Sequence, residues 1–112
     1  LLSVLFYYAY NMKLKDNVKL RGITPELLIG ILIAERIFDK YKYELIITSA
    51  VDSKHSATSL HYAGNAADFR IRHISDKSII TQIVQEIKSS LTQDFDIILE
   101  PDHIHLEHQP RF

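Results

Sequence analysis

Two segments of the chain alternate between apolar and polar residues with the period of two that is typical of a strand with one buried face. In residues 65–72 one face carries Ala67, Phe69 and Ile71, and the other carries Ala66, Asp68 and Arg70. In residues 103–108 one face carries Ile104 and Leu106, and the other carries His103, His105 and Glu107. Both segments are therefore predicted to be strands that present polar side chains on one side.

Two helical patterns accompany these strands. Thr24, Pro25 and Glu26 form a favourable helix entry, because a hydroxyl can cap the first turn, proline suits the first helical position and an acid suits the first turn. The helix over residues 27–38 is apolar on nearly all sides, which is expected of a helix buried against a sheet. A second helix follows Asp76, and its amphipathic stripe consists of Ile79, Ile80, Ile83, Val84, Ile87 and Leu91.

The remaining segments complete the predicted order of elements. Residues 44–50 and 95–99 are short and rich in β-branched or aromatic residues, so they are predicted to be strands. Residues 51–60 form a polar loop, and residues 100–102 form a tight turn before the last strand. The order helix, strand, strand, helix, strand, strand predicts an α+β domain with a small, mainly antiparallel sheet and two main helices.

Composition narrows the possible functions. The chain has 112 residues, of which 46% are hydrophobic and 24% charged, and its formal net charge is -1. This length suits one domain, which we place at residues 12–112. A near-neutral chain has no general electrostatic reason to bind nucleic acid or anionic lipid. The apolar residues 1–11 are too few to span a bilayer, so we expect no stable membrane insertion and interpret them as a signal remnant or as part of the domain.

The histidines and carboxylates suggest a metal site. The chain has no cysteine, so any metal must be held by imidazole and carboxylate groups. Catalytic zinc keeps three protein ligands and an open position for water. His61, Asp68 and one histidine of the pair His103 and His105 would supply that set. Taken singly, Asp68 could be the ion-pair partner of a nearby arginine, and the two histidines could be an exposed strand face.

Two motifs in these segments resemble those of a known family. The run SLHYAGNAAD (residues 59–68) matches the SxHxxGxAxD signature of the zinc D-Ala-D-Ala carboxypeptidases and L-Ala-D-Glu endopeptidases. The run DHIH (residues 102–105) is similar to their second motif, in which an acid stands three residues before a ligand histidine. The order of elements agrees over residues 24–107. The resemblance implies the Hedgehog/D-Ala-D-Ala peptidase fold.

The resemblance also implies a role for each motif residue. By it, His61, Asp68 and His105 are the zinc ligands, Asp102 is the general base, and His103 stabilises the transition state. Zinc would lower the pKa of a bound water molecule to about 7. The general base would then carry a proton from this water to the leaving amine.

One feature of the family is missing from this chain. Many members carry an arginine in the loop that corresponds to residues 51–56, where it polarises the substrate carbonyl or holds a carboxylate. This loop contains no arginine here, and Lys54, His55 or Arg70 are the candidates to replace it at the substrate or the oxyanion. The departure concerns substrate orientation more than zinc binding.

The sequence thus predicts a monomeric zinc metallopeptidase that acts at the bacterial cell wall on the stem peptides of peptidoglycan. The choice between D-Ala-D-Ala carboxypeptidase, D-Ala-D-Ala dipeptidase and phage-type L-Ala-D-Glu endopeptidase stays open, because the loops that distinguish them are short. Export from the cell and release by lysis are equally compatible with the sequence.

Two other classes of protein compete with this prediction. The run KHSATSLHY (residues 54–62) is similar to the corresponding segment of the Hedgehog signalling domain, whose zinc site serves binding and stability. That interpretation predicts a non-catalytic zinc-binding interaction module, and the acid Asp102 counts against it. A closed structural zinc site would need a fourth ligand such as His103, and two same-face residues of one strand are expected to be strained when they bind one ion.

Overall fold

The computed structural model describes residues 12–51 and 64–109 of the chain. These residues form two helices and five strands in the order β1 (Met12–Leu14), α1 (Pro25–Lys40), β2 (Leu45–Ser49), β3 (Ala66–Arg70), α2 (Lys77–Ser90), β4 (Phe95–Leu99) and β5 (His103–His108). The strands make one mixed sheet with the order β1-β2-β3-β5-β4. The α+β class with two main helices is confirmed.

The pairing of the strands agrees with a mainly antiparallel sheet. Among the described strands, β2 with β3, β3 with β5 and β4 with β5 pair antiparallel, whereas β1 pairs with β2 in parallel. The sequence analysis does not predict β1, because three residues are too few to show an alternation. Met12 lies opposite Leu45 and Leu14 opposite Ile47, so this short strand is defined by its pairing with β2.

Helix α1 begins where the sequence predicts. Thr24 is the N-cap, and its side-chain oxygen accepts a hydrogen bond from the amide of Leu27 at 3.2 Å. The helix is less buried than expected, because the sheet covers only the face that carries its fully buried residues. On its outward side Leu28, Ile29 and Leu32 are 39–57% exposed.

Helix α2 begins after the N-cap Asp76, whose carboxylate accepts a hydrogen bond from the amide of Ser78 at 2.9 Å. Ile80, Ile83 and Ile87 of the predicted stripe are buried in the same core as α1. The two helices are also joined outside this core, since Lys40 forms an ion pair with Glu86 at 2.8 Å. Within the described ranges, neither helix is long and apolar enough to cross a membrane.

The two faces of the sheet differ as the alternation predicts. The helices pack on the face of β3 and β5 that carries fully buried apolar side chains, namely Ala67, Phe69, Ile104 and Leu106. The opposite face carries partly exposed polar side chains: Asp68, Arg70, His103, His105 and Glu107. The core therefore holds the strands in place, and the polar face carries the candidate site residues that the sequence predicts.

Candidate metal centre

The register between β3 and β5 brings the predicted ligands together. Asp68 lies directly opposite His105, and Arg70 lies directly opposite His103. Residues opposite each other on antiparallel strands point to the same face, with Cβ atoms about 4.5–5.5 Å apart. The turn before β5 is closed by a hydrogen bond from the amide of Glu100 to the carbonyl of His103 at 2.9 Å. The hairpin thus places two imidazoles beside one carboxylate.

The resulting group has the composition of a site for a divalent cation. Asp68, His103 and His105 each offer one ligand atom, and these atoms lie within 4.8 Å of one another. Oδ1 of Asp68 is 2.8 Å from Nδ1 of His105 and 3.7 Å from Nε2 of His103. Imidazole nitrogen and carboxylate oxygen suit zinc and several other transition metals. The donor set therefore fits a metal ion, and its composition alone does not select zinc.

A carboxylate also holds the second nitrogen of each imidazole. Nδ1 of His103 is 2.6 Å from Oδ1 of Asp102, and Nε2 of His105 is 3.1 Å from Oε1 of Glu107. Histidines that bind metals usually donate their other N–H group to a carboxylate, a carbonyl or water, which sets the orientation of the ring. Both rings are thus oriented toward Asp68 by groups on their own strand or turn.

These contacts change the proton affinity of the site. The hydrogen bond to Asp68 is the main reason why the pKa of His105 is raised, and the negative charges of Asp68 and Glu107 add to it while burial opposes it. A cation that bound there would displace a proton from His105, so metal binding and pH are coupled. The hydrogen bond from His103 lowers the pKa of Asp102, whose side chain is 88% exposed. Asp102 is therefore ionised at neutral pH.

The start of β3 is fixed by contacts with the entry to α1. Gly64 has φ +75°, and a Cβ at this position would collide with the carbonyl oxygen of Gly22. Its carbonyl accepts a hydrogen bond from the amide of Thr24 at 2.9 Å, and the hydroxyl of Thr24 donates to Oδ1 of Asn65 at 2.9 Å. A glycine is required here both for the left-handed backbone and for the close approach. These contacts anchor the strand four residues before Asp68.

The predicted site residues fall into three groups. Asp68 and His105, expected as ligands, are in contact, and no ion pair links Asp68 to Arg70 or Arg72 within the described ranges. His103 and Asp102, expected in catalysis, lie beside them. His61, the third expected ligand, lies outside the described residues, as do Lys54 and His55.

His103 lies on the same side of β5 as His105, and its Nε2 is 3.7 Å from Oδ1 of Asp68. Residues two apart on a strand point to the same side, and a single carboxylate on the neighbouring strand lies within reach of both imidazoles. His103 can therefore serve as a ligand of an ion held by Asp68 and His105. The pairing of β3 with β5 brings the ligand atoms of these three residues together.

A cleft of about 400 Å³ opens beside the triad. It is lined by Lys15, Thr48, Asp68, Arg70, Arg72, Asp102 and His103. Arg70, which the sequence offers as a candidate, is therefore part of the cleft wall. Lys15, Arg72 and Glu107 are not predicted from the sequence. Glu107 could have been found from its shared face with His105, whereas Lys15 reaches the cleft only through the unpredicted pairing of β1 with β2.

No protein-family model, no curated protein and no solved structure matches the chain. The similarity to zinc peptidases therefore rests on the two sequence motifs. The cluster of ligand atoms from Asp68, His103 and His105 is an independent observation.

Proposed function

We propose that the protein is a zinc metallopeptidase that hydrolyses an amide bond in the stem peptides of peptidoglycan. One observation carries the proposal: Asp68, His103 and His105 converge on one point beside the ionised Asp102, at the wall of an open cleft. Three nitrogen and oxygen donors with access to a cleft are typical of a catalytic zinc site, whereas structural sites are usually closed by four ligands. The two family motifs supply the reaction and the substrate class.

Asp68 and His105 would hold the ion in either of two ligand sets. The resemblance adds His61 as the third ligand, and the geometry of β5 offers His103 instead. Single replacements His61→Ala and His103→Ala distinguish the two sets, since only the residue that binds the ion should reduce the zinc content to the level of Asp68→Ala. Glu107 would keep the ring of His105 in its orientation in both cases.

Zinc, when bound, would make a water molecule acidic enough to supply hydroxide at neutral pH. Asp102 can accept a proton from that water, because its carboxylate is ionised at neutral pH and is exposed to the cleft. His103 holds Asp102 through Nδ1 and turns Nε2 toward the site. The carboxylate would return the proton to the amine that leaves when the amide bond breaks.

The second candidate is a non-catalytic zinc-binding module similar to the Hedgehog domain. The contact between Asp102 and His103 supports it, because a carboxylate that only orients a metal-binding imidazole would make the same hydrogen bond. The two candidates differ in whether Asp102 takes part in proton transfer. A monomer that acts at the bacterial cell wall is part of the first proposal only.

Digestion of purified peptidoglycan separates the two candidates. The protein with one equivalent of zinc is incubated with the polymer, and the soluble fragments are identified by mass spectrometry. Release of D-Ala indicates a carboxypeptidase, release of D-Ala-D-Ala a dipeptidase, and cleavage after L-Ala an endopeptidase. An intact polymer with zinc bound to the protein contradicts the peptidase and leaves the binding module.

A further inference from the structure

The cleft beside the triad carries more positive than negative side chains. Its lining contains the cations Lys15, Arg70 and Arg72 and the carboxylates of Asp68 and Asp102. Both carboxylates already have imidazole partners, since Asp68 contacts His105 at 2.8 Å and Asp102 contacts His103 at 2.6 Å. A divalent cation bound by the triad would add to the positive charge of the cleft.

The three cations are not neutralised by neighbouring acids. Within residues 12–51 and 64–109, none of their side chains forms an ion pair with a carboxylate. By contrast, Lys40 on the helical side of the molecule pairs with Glu86 at 2.8 Å. Clustered like charges in one cleft repel each other, so such a cluster is stabilised by an anion that binds between them.

The three cations come from different elements that the sheet holds together. Lys15 follows β1, and its amide donates a hydrogen bond to the carbonyl of Ile47 at 2.9 Å, which fixes it beside β2. Arg70 ends β3 opposite His103, and Arg72 follows two residues later. Their side chains line the same cleft as Asp68 and His103.

We propose that Lys15, Arg70 and Arg72 form a carboxylate-binding subsite, so that the peptides bound in this cleft present a carboxylate near the amide bond held at the triad. Arginine is suited to this task, because its planar group can donate two parallel hydrogen bonds to one carboxylate. The part of this inference that concerns hydrolysis of the bound peptide rests on the proposed function. The preference for a carboxylate does not depend on that function. A cleft of about 400 Å³ is large enough for a short peptide segment.

A stem peptide can offer this carboxylate from two sources. One is the carboxylate at its C terminus, which would place the last amide bond at the triad. The other is the carboxylate of an internal glutamate, which would place an amide bond within the chain there. The chemistry of recognition is the same, and the source decides which bond lies beside Asp102.

Binding to the chelator-treated 112-residue chain tests the subsite without interference from hydrolysis or from a carboxylate that coordinates zinc. Three peptides of equal length are compared by calorimetry: a neutral one with an amidated C terminus and glutamine, one with only the C-terminal carboxylate, and one with only the glutamate carboxylate. We expect one of the charged peptides to bind about tenfold tighter than the neutral one, which corresponds to one charge-assisted contact. Its preference should decline at high salt, because these side chains are partly exposed.

Charge-removing variants then locate the subsite. Lys15→Gln, Arg70→Gln and Arg72→Gln should each reduce the affinity for the charged peptide more than the affinity for the neutral peptide. Arg21→Gln and Lys88→Gln, which remove exposed cations outside the cleft lining, should leave the preference intact. Lys15 and Arg72 are exposed, so their variants should fold normally, and circular dichroism checks this.

Equal binding of all three peptides would overturn the subsite, and so would a preference that survives when Lys15, Arg70 and Arg72 are all replaced by glutamine in one variant. A preference that depends on the three cations, together with zinc-loaded protein that leaves peptidoglycan intact, would support the subsite and contradict the peptidase. The identity of the preferred peptide decides between the two sources of the carboxylate.

Discussion

The two faces of the β3–β5 pair are built from the same backbone and have opposite physical properties. Phe69, Ile104 and Leu106 are fully buried, and Phe69 packs edge-on against Phe38 of α1 with ring centroids 6.2 Å apart. One residue away, the side chains of Asp68 and His105 are 16% and 19% exposed and contact each other. The apolar face contributes to stability by removing surface from water, whereas the polar face depends on complementary charge.

This separation has a consequence for the polar face. Asp68 and Glu107 flank His105, so two partly buried carboxylates share one imidazole. Such charges are tolerated only when they have partners, and a bound cation would be a stronger partner than a single proton. We therefore expect that the chemistry of the site can change without repacking of the core, and substitutions on each face measure how independent the two faces are.

The largest effect is expected from Asp68→Ala. Its carboxylate is the group that both imidazoles face, so its removal should abolish zinc binding and hydrolysis while the helices and the sheet stay folded. Zinc per chain is measured by atomic absorption, and folding by circular dichroism. Unchanged zinc content in this variant would show that the ion, if present, is bound elsewhere.

Phe69→Ala changes the neighbouring residue on the other face. Removal of a fully buried phenylalanine is expected to lower the free energy of unfolding by about 3–5 kcal/mol. Denaturant unfolding of the zinc-free protein measures this loss, and the chains that remain folded should still bind zinc. Ile98→Ala is the control, because this side chain is 41% exposed and its removal should lower the free energy of unfolding much less. Loss of zinc from folded Phe69→Ala protein would contradict the independence of the two faces.

Asp102→Asn tests the role of the exposed carboxylate. If Asp102 is the general base, hydrolysis should fall by at least about a hundredfold while zinc stays bound. Glu100→Gln, in the same turn, is the matched control and should keep its activity. A parallel loss of zinc affinity would instead indicate that Asp102 serves to orient His103.

Glu107→Gln should weaken the site without destroying it. The glutamine can still accept a hydrogen bond from Nε2 of His105 but no longer supports its basicity by charge, so zinc affinity should fall by about 10–100-fold. Competition with a chelator of known affinity measures the change. Glu26→Gln, an exposed acid in the first turn of α1, should have no effect, and an equal loss there would point to general electrostatics.

The smallest effect is expected from pH. In chelator-treated protein the pKa of His105 lies above its ordinary value of 6.5 because of Asp68, so its contribution to stability is complete below that pH and is lost as the pH rises through the raised pKa. The melting temperature of wild type should therefore fall with pH relative to Asp68→Asn. The stabilisation by zinc should show the opposite trend, because the ion binds the deprotonated imidazole. A melting temperature that rose with pH relative to the variant would contradict this assignment.

The elements with strong local signals were predictable. Thr24 and Asp76 cap helices at the expected positions, and residues 95–99 and 103–108 form strands with the predicted bounds. The outward exposure of Leu28 and Ile29 was not predictable, because the composition of a helix does not show how many of its sides will be covered. The family resemblance and the proposed activity remain predictions.

The site was also predictable in part, because alternation along a strand is a strong local signal. The period of two places Asp68 and the histidine pair on polar faces, and the resemblance of two short motifs implies that Asp68 and His105 bind zinc. Nothing in the local sequence indicates that Lys15 and Arg72 line the same cleft. Their proximity depends on which strands are neighbours.

By itself, the sequence determined which residues face the core and where most elements begin, because side-chain alternation and helix capping act over a few residues. Only the tertiary structure decided that β3 lies between β2 and β5, that Asp68 is opposite His105, and that β1 adds a cation to the cleft. Strand order is set by hydrogen bonds and packing between segments that are far apart in the chain. The local alternation limits the register only to pairings that keep the apolar side chains on the core face.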